Sequence, residues 1–542
     1  MSKQADTDTD ITILGGGLAG LTLAIQLRRQ DPGLRVTVLE RNAHPVREAA
    51  FKVGESTVEI GAHYFAHVLG LRDHLDEAHV RKFGFRFFFS EGREDIERCT
   101  ELGVSRLLPT PSWQIDRGRF ENFLGLRARS LGVDFRDGAT VRAIALDDGD
   151  AAHEVTFEHA GATTTLSSRW VVDASGRAGL LKRKLDLAQD NDHDANAAWW
   201  RVEGRIDPND WSDDPQWLAR CTPPDRWRST NHMCGPGYWF WLIPLASGAH
   251  SLGIVCDGKT HPLDTMNTHE KAMAWLREHQ PRVAASLEQP GHALCDFRFL
   301  RHFSHGCRQV FGNRWALTGE AGLFLDPFYS PGSDFIAISN TFICNVIARE
   351  RAGQNWTSHA EIYQQLYFSF YENTMTLFQD QYALFGDTQV MPVKIIWDYT
   401  FYWALLAPMF FAGRIADIGM FGRLREQFER GSALNTAMQA LLREWGKRNA
   451  GRALPLDSRV LDQYRIDWFH ELNRALADQL NDDAFAARIT SNVERMGWLG
   501  AEILQRARAE HAEIGDHGLD ALAVGDASPP PSLSASWYAS AA

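Results

Sequence analysis

The sequence predicts a mixed α/β chain with three parts: a Rossmann-type nucleotide-binding domain, an inserted mainly β substrate region and a helical C-terminal region. Three observations carry this. Residues 11–14 form a short apolar strand that runs into Gly15-Gly16-Gly17-Leu18-Ala19-Gly20, and residues 21–29 then follow with helical periodicity. A second strand, residues 35–40, ends in Glu40, twenty residues beyond Gly20. Further on, Trp239-Phe240-Trp241-Leu242-Ile243-Pro244 alternates large apolar groups and stops at proline, which reads as a strand.

The first element fixes its own chemistry. Gly15 permits the tight turn, Gly17 lets the backbone approach a pyrophosphate, and Gly20 lets the helix pack on the sheet. Ala19 lies within the turn and Arg41 follows the second strand. The helix start offers unpaired N–H groups and a positive dipole end to phosphate, and Glu40 can accept hydrogen bonds from ribose hydroxyls. The third observation is also local. On a strand alternate side chains share a face, so Trp239, Trp241 and Ile243 line one wall, and Phe240 and Leu242 the other.

Domain limits follow from these signals. Residues 8–190 and 305–345 read as one discontinuous nucleotide-binding domain, residues 191–304 as strands with loops, and residues 346–515 as helices. Residues 516–542, with Pro529-Pro530-Pro531 among Ser and Ala, read as a disordered tail. The window 390–413 is the most apolar stretch. It contains Lys394, Asp398, Pro392 and Pro408, so it reads as a buried helical region with no integral membrane segment.

Composition narrows the partners. At 542 residues the chain exceeds one simple core, and a net charge of −13 argues against a nucleic-acid binder. Seven scattered Cys without CxxC spacing suit reduced thiols rather than a disulfide or zinc framework. No basic-then-apolar leader is visible, so a cytoplasmic location is expected.

Further segments resemble those of known flavoproteins. Gln114 to Glu121 resembles the D-R-x-x-[FL] segment of flavoprotein monooxygenases, which implies that Arg117 meets the FAD pyrophosphate. Val171-Val172-Asp173-Ala174-Ser175-Gly176-Arg177 resembles their second glycine segment, placing Asp173 and Gly176 under the FAD. Ala316 to Gly322 is similar to the segment over the ribityl chain, with Glu320 where Asp is usual.

Four features together resemble the flavin-dependent halogenases: the Gly15 fingerprint, Val53-Gly54-Glu55-Ser56-Thr57, the Trp239 motif, and Asp326-Pro327 leading to Ser330-Pro331-Gly332. The resemblance covers about residues 10–345. It implies that Val53, Gly54, Glu55 and Ser56 strap the isoalloxazine, that Ser330 and Gly332 belong to a halide and flavin turn, and that Trp239 and Trp241 wall the active site. It also implies a catalytic Lys about thirty residues after the strap, which is Lys82, with Lys52 as rival. The implied reaction uses reduced FAD, oxygen and chloride or bromide to make hypohalous acid. That acid halogenates an electron-rich aromatic or conjugated substrate, free or carrier-bound, at Lys82. No second fingerprint for a nicotinamide nucleotide is evident, so a separate flavin reductase is the expected partner.

Two departures stand out. Tyr329 takes the place of the Glu that tryptophan halogenases use as proton acceptor, leaving Asp334 and Glu59 as substitutes. Pro331 has no N–H in a turn where the family holds halide on two successive amides. A halide-independent FAD monooxygenase or hydroxylase on the same fold is the alternative.

Overall fold

The computed structural model describes residues 7–48, 52–221, 223–452, 460–522 and 538–539. Two compact units emerge. The first comprises residues 1–78, 115–192 and 304–371, the second residues 79–114, 193–303 and 372–542.

The first unit is built on parallel strands in the order Trp315–Leu317, Ala162–Asp173, Thr9–Leu14, Val36–Glu40, Asp134–Asp137. Thr9–Leu14 and Val36–Glu40 are buried at every position but Asp10, as strands covered on both faces are. The register sets Leu14 opposite both Leu39 and Asp173, and Asp173 opposite Leu317. The loops that leave these strands therefore open at one edge, the C-terminal edge where α/β sheets bind ligands. Helices Leu18–Gln30, Arg117–Ser130 and Gly332–Arg351 belong to this unit.

The second unit holds a nine-stranded sheet in which Tyr238–Pro244 is central, between Ala249–Asp257 and Thr230–Gly235. Residues in register share a face. One row runs Phe88, Met233, Phe240, Ile254, Ala198, and all five lie in one buried core with Trp275, Leu276 and Val283 of the helices His269–His279 and Pro281–Leu287. The next row, on the opposite face, runs Phe87, His232, Trp241, Gly253. The expected split of the Trp strand into two walls is thus realised.

Residues 79–114 depart from the expected domain limits. Phe85–Phe89 pairs in parallel with Thr230–Gly235, and so this segment belongs to the second unit rather than to the nucleotide-binding part. The reason is its sequence: Phe85-Arg86-Phe87-Phe88-Phe89 buries every residue, and only an interior position in a sheet accommodates that. Helices Gly332–Arg351 and Thr357–Met375 also begin in the first unit, ahead of the helical remainder. Of residues 516–542, Leu519–Leu522 is helical, Tyr538–Ala539 pairs with Val460–Asp462, and 523–537 and 540–542 lie outside the described residues.

The most apolar window, 390–413, is helical through Phe411 and opens with a largely buried helix, Val390–Phe401. Lys394, 0% exposed, donates to Asp398 at 2.7 Å and to Gln439 Oε1 at 2.8 Å, while Gln439 Nε2 donates back to Asp398 Oδ1 at 2.7 Å. No helix among the described residues is long and apolar enough to cross a membrane.

Candidate active site

In the first unit the glycine turn has the geometry its residues imply. Gly15 sits at φ +112°, and a Cβ there would lie 2.4 Å from the Ala174 carbonyl oxygen. A Cβ at Gly20 would meet the Gly15 oxygen at 2.0 Å, so Gly20 packs against the turn itself. Gly17 caps the helix without a side-chain bond, and nothing lies within 4 Å of where its Cβ would be. The helix start thus leaves open space beside Gly17, as the approach of a phosphate group requires.

Glu40 is committed differently from the sequence expectation. Its Oε2 accepts from Gly16 N–H at 2.7 Å, and its Oε1 from the Asn42 backbone and side chain at 2.8 and 2.6 Å. It shapes the turn and places an acid at the strand end, while Arg41 is exposed. Asp173 likewise accepts from Ser175 N–H at 2.9 Å and Leu181 N–H at 2.7 Å, and burial raises its pKa. Gly176 occupies the left-handed region at φ +61°.

The strap is tied to the helix Arg117–Ser130. Arg117 donates to the Val53 carbonyl at 2.7 Å and pairs with Glu121 at 2.8 Å, and Ile115 N–H donates to the Glu55 carbonyl at 2.5 Å. Gly54, at φ +86°, stands where a Cβ would press on Arg117. Glu55 and Ser56 are buried. Lys52 is paired with Glu121, which weakens it as rival to Lys82. The open position at Gly17, the bare helix start and the Arg117 guanidinium fit a dinucleotide.

The turn at residues 326–332 is poorer in donors than the sequence suggests. Ser330 adopts φ +54°, and its N–H donates to the Pro327 carbonyl at 2.9 Å. Pro331 has no N–H and caps the helix Gly332–Arg351. Gly332 keeps its amide with open space around the α-carbon. Of the substitute bases, Asp334 accepts from Gly61 N–H at 2.7 Å and is buried, as is Glu59. Glu320 is paired with Arg177 at 3.0 Å.

In the second unit Lys82 is 3% exposed, and its ammonium lies 3.3 Å from the centroid of the Phe85 ring. Its backbone N–H is held by the Ser112 carbonyl at 2.9 Å. His232 meets Phe85 edge-on at 5.2 Å and stacks on Phe87 at 4.6 Å. Burial, and then the Lys82 charge, push its pKa down to about 3, so it is neutral near pH 7. Its Nδ1 lies 3.4 Å from the Arg86 carbonyl oxygen. Trp239 lies 5.3 Å from His232 and 5.6 Å from Trp241, and its Nε1 donates to Tyr382 Oη at 3.3 Å. Trp241 covers Gly253, where a Cβ would lie 2.2 Å from the ring. The result is an aromatic face carrying one buried cation. The sequence reading named Lys82 and both Trp but not their neighbours His232 and Tyr382, whose places depend on strand pairing and on a helical segment over a hundred residues away.

The glycine turn fits a dinucleotide cofactor, and the likeness to known proteins is to flavoprotein oxidoreductases. The family model described as "FAD binding domain" matches residues 8–253. A flavin-dependent halogenase of Dictyostelium discoideum, chlA, is 26% identical over 491 residues, covering 85% of this chain and 80% of its own length. The tetracycline 7-halogenase of Kitasatospora aureofaciens is 27% identical, covering 64% of this chain and 63% of its own length. Among solved structures, halogenase PltM in complex with phloroglucinol and FAD superposes with a TM-score of 0.63 at 18% identity, over 89% of this chain and 99% of that one. The flavin-dependent brominase Bmp2 gives 0.57 at 23% identity, over 70% and 89%. The chain is similar to flavin-dependent halogenases along most of its length, and it is an enzyme.

Proposed function

We propose that this enzyme uses reduced FAD, oxygen and a halide to halogenate an electron-rich aromatic substrate, with Lys82 as the catalytic residue. The observation that carries the reading is the buried Lys82 ammonium on the Phe85 ring, beside the wall of Trp239 and Trp241. Bound FAD, when reduced, supplies the electrons that activate oxygen for oxidation of halide to hypohalous acid. In a site shielded from water the Lys82 ammonium donates a hydrogen bond to the oxygen of that acid and makes its halogen more electrophilic. A ring carbon of the substrate takes the halogen, the O–X bond breaks, and the ring proton is lost as water forms. The aromatic face suits a flat ring. Phenols and pyrroles lose the ring proton most readily, which suits a chain with Tyr329 in the place of the family Glu. A brominase of pyrrole-2-carbonyl bound to a peptidyl-carrier protein, from Pseudoalteromonas luteoviolacea, is among the relatives, at 25% identity, and a carrier-bound substrate is part of the proposal. A separate flavin reductase supplies the reduced flavin.

The test supplies reduced FAD, oxygen and bromide with a panel of phenols and pyrroles. A brominated product that needs both bromide and Lys82 supports the proposal. The committed Ser330 N–H and the absent Pro331 N–H favour a second reading, halide-independent hydroxylation. An oxygenated product formed equally well without halide would establish it.

A further inference from the structure

Three segments of the first unit converge at the C-terminal edge of the parallel strands: the glycine turn 15–20, residues 173–182 and residues 318–322. Besides the approach of Gly15 to Ala174, a Cβ at Gly319 would lie 3.0 Å from the Ala19 Cβ. Three connections join the second segment to the third. Thr318 N–H donates to the Asp173 carbonyl at 3.0 Å, Arg177 pairs with Glu320 at 3.0 Å, and Lys182 Nζ donates to the Gly322 carbonyl at 2.9 Å.

The third connection differs in kind. Arg177 and Glu320 are each over a third exposed, whereas Lys182 is 9% exposed. An ammonium has three donors, and here one neutral carbonyl takes one of them. Among the described residues no carboxylate lies within ion-pair distance of it. Asp173, the nearest buried acid in the segment, spends its oxygens on Ser175 and Leu181. A buried cation without a counter-ion is costly unless an anion completes its surroundings.

We infer that Lys182 is a cofactor-binding cation. It joins residues 173–182 to residues 318–322, the two segments that also pack against the glycine turn, and supplies the positive charge that a dianionic pyrophosphate-bearing cofactor calls for. Burial lowers its pKa, with Arg177 adding to that, while Cys307, Asp173 and Glu320 act in the opposite sense. An approaching anion would hold the lysine charged. The inference rests on the FAD reading, and it adds a residue outside the glycine and Arg117 motifs.

The experiment titrates FAD into the full-length flavin-free protein, follows flavin fluorescence at two salt concentrations, and records the melting temperature of each variant without FAD. Lys182→Arg keeps the charge and should bind within three-fold of wild type. Lys182→Gln keeps a donor for Gly322 but loses the charge. It should melt like wild type, bind FAD at least ten-fold more weakly, and depend less on salt. Lys182→Gln binding within two-fold of wild type would overturn the inference. Should that variant melt early, Lys182→Met is read in its place by the same criteria. Wild-type protein that binds no FAD at all would instead bring down the FAD reading itself.

Discussion

Two buried lysines of the second unit make opposite use of the same group. Lys394 is enclosed by Asp398 and Gln439, each partner bonded to the next in a closed ring. Burial lowers its pKa, and Asp398 works against that. Lys82 lies on an aromatic ring, next to an imidazole kept neutral by burial. A carboxylate completes the lysine inside the helical region and leaves it nothing further to bind. The Phe85 ring face holds the Lys82 ammonium by a cation–π contact. Burial of a lysine therefore does not mark function by itself.

Breaking the closed ring should have the largest effect on stability. Lys394→Ala leaves Asp398 buried without its cation and should cost about 3–5 kcal/mol in urea unfolding, with turnover per folded molecule within about two-fold of wild type. Replacing both, as Lys394→Met with Asp398→Leu, should cost less than the single change. A single variant that lost turnover without losing stability would erase the contrast between the two lysines.

Glu101 tests the same logic in the sheet. It is held by Arg226 at 2.9 Å and by Arg86. Burial alone would raise its pKa, but Arg226 and Arg86 outweigh that and bring it down to about 2. A depressed carboxylate stabilises the fold fully above its ordinary value of 4.5, and that contribution is lost as pH falls towards 2. Glu101→Gln should cost about 3 kcal/mol near pH 7 and flatten the acid limb of the unfolding curve between those values. An unchanged acid limb would show that Glu101 is not the group responsible.

The aromatic face should answer to a smaller change. Gly253→Ala drives a methyl into the Trp241 ring and should cost about 1–3 kcal/mol, because the ring must move off the adjacent strand. Trp fluorescence would report the shift, and product formation should fall more than stability does. Unaltered fluorescence and turnover would mean that the ring position does not matter.

Much of the first unit was legible in the sequence because its signals are local. Gly15, Gly17, Gly20 and Glu40 fall within one turn and its neighbouring strands, and their spacing is dictated by backbone geometry. The two walls of Trp239–Pro244 were also legible, since a period of two is a property of any strand. What was not legible depended on pairing. Placing Phe85–Phe89 beside Thr230–Gly235 needs the register between segments about 145 residues apart. His232 acquires meaning only through that register, which sets it opposite Phe87 on one side and Trp241 on the other. Glu40 and Asp173 were found as motif residues, yet their oxygens turned out to bond backbone amides, a detail no spacing encodes. Ser330 is similar: Pro331 was visible as a missing donor, whereas the loss of the Ser330 amide to Pro327 required the folded turn.

The central claim is that the lysine on the aromatic face carries the halogenation chemistry, and Lys82→Met tests it most directly. Wild type and variant are given reduced FAD, oxygen, bromide and an accepted phenol, while a scavenger of hypohalous acid reports oxidant formation and melting reports folding. The variant should melt within a few degrees of wild type and still form oxidant, while brominated product falls at least about a hundred-fold, roughly 2.7 kcal/mol of lost transition-state stabilisation. Brominated product formed by the folded variant at the wild-type rate would contradict the account.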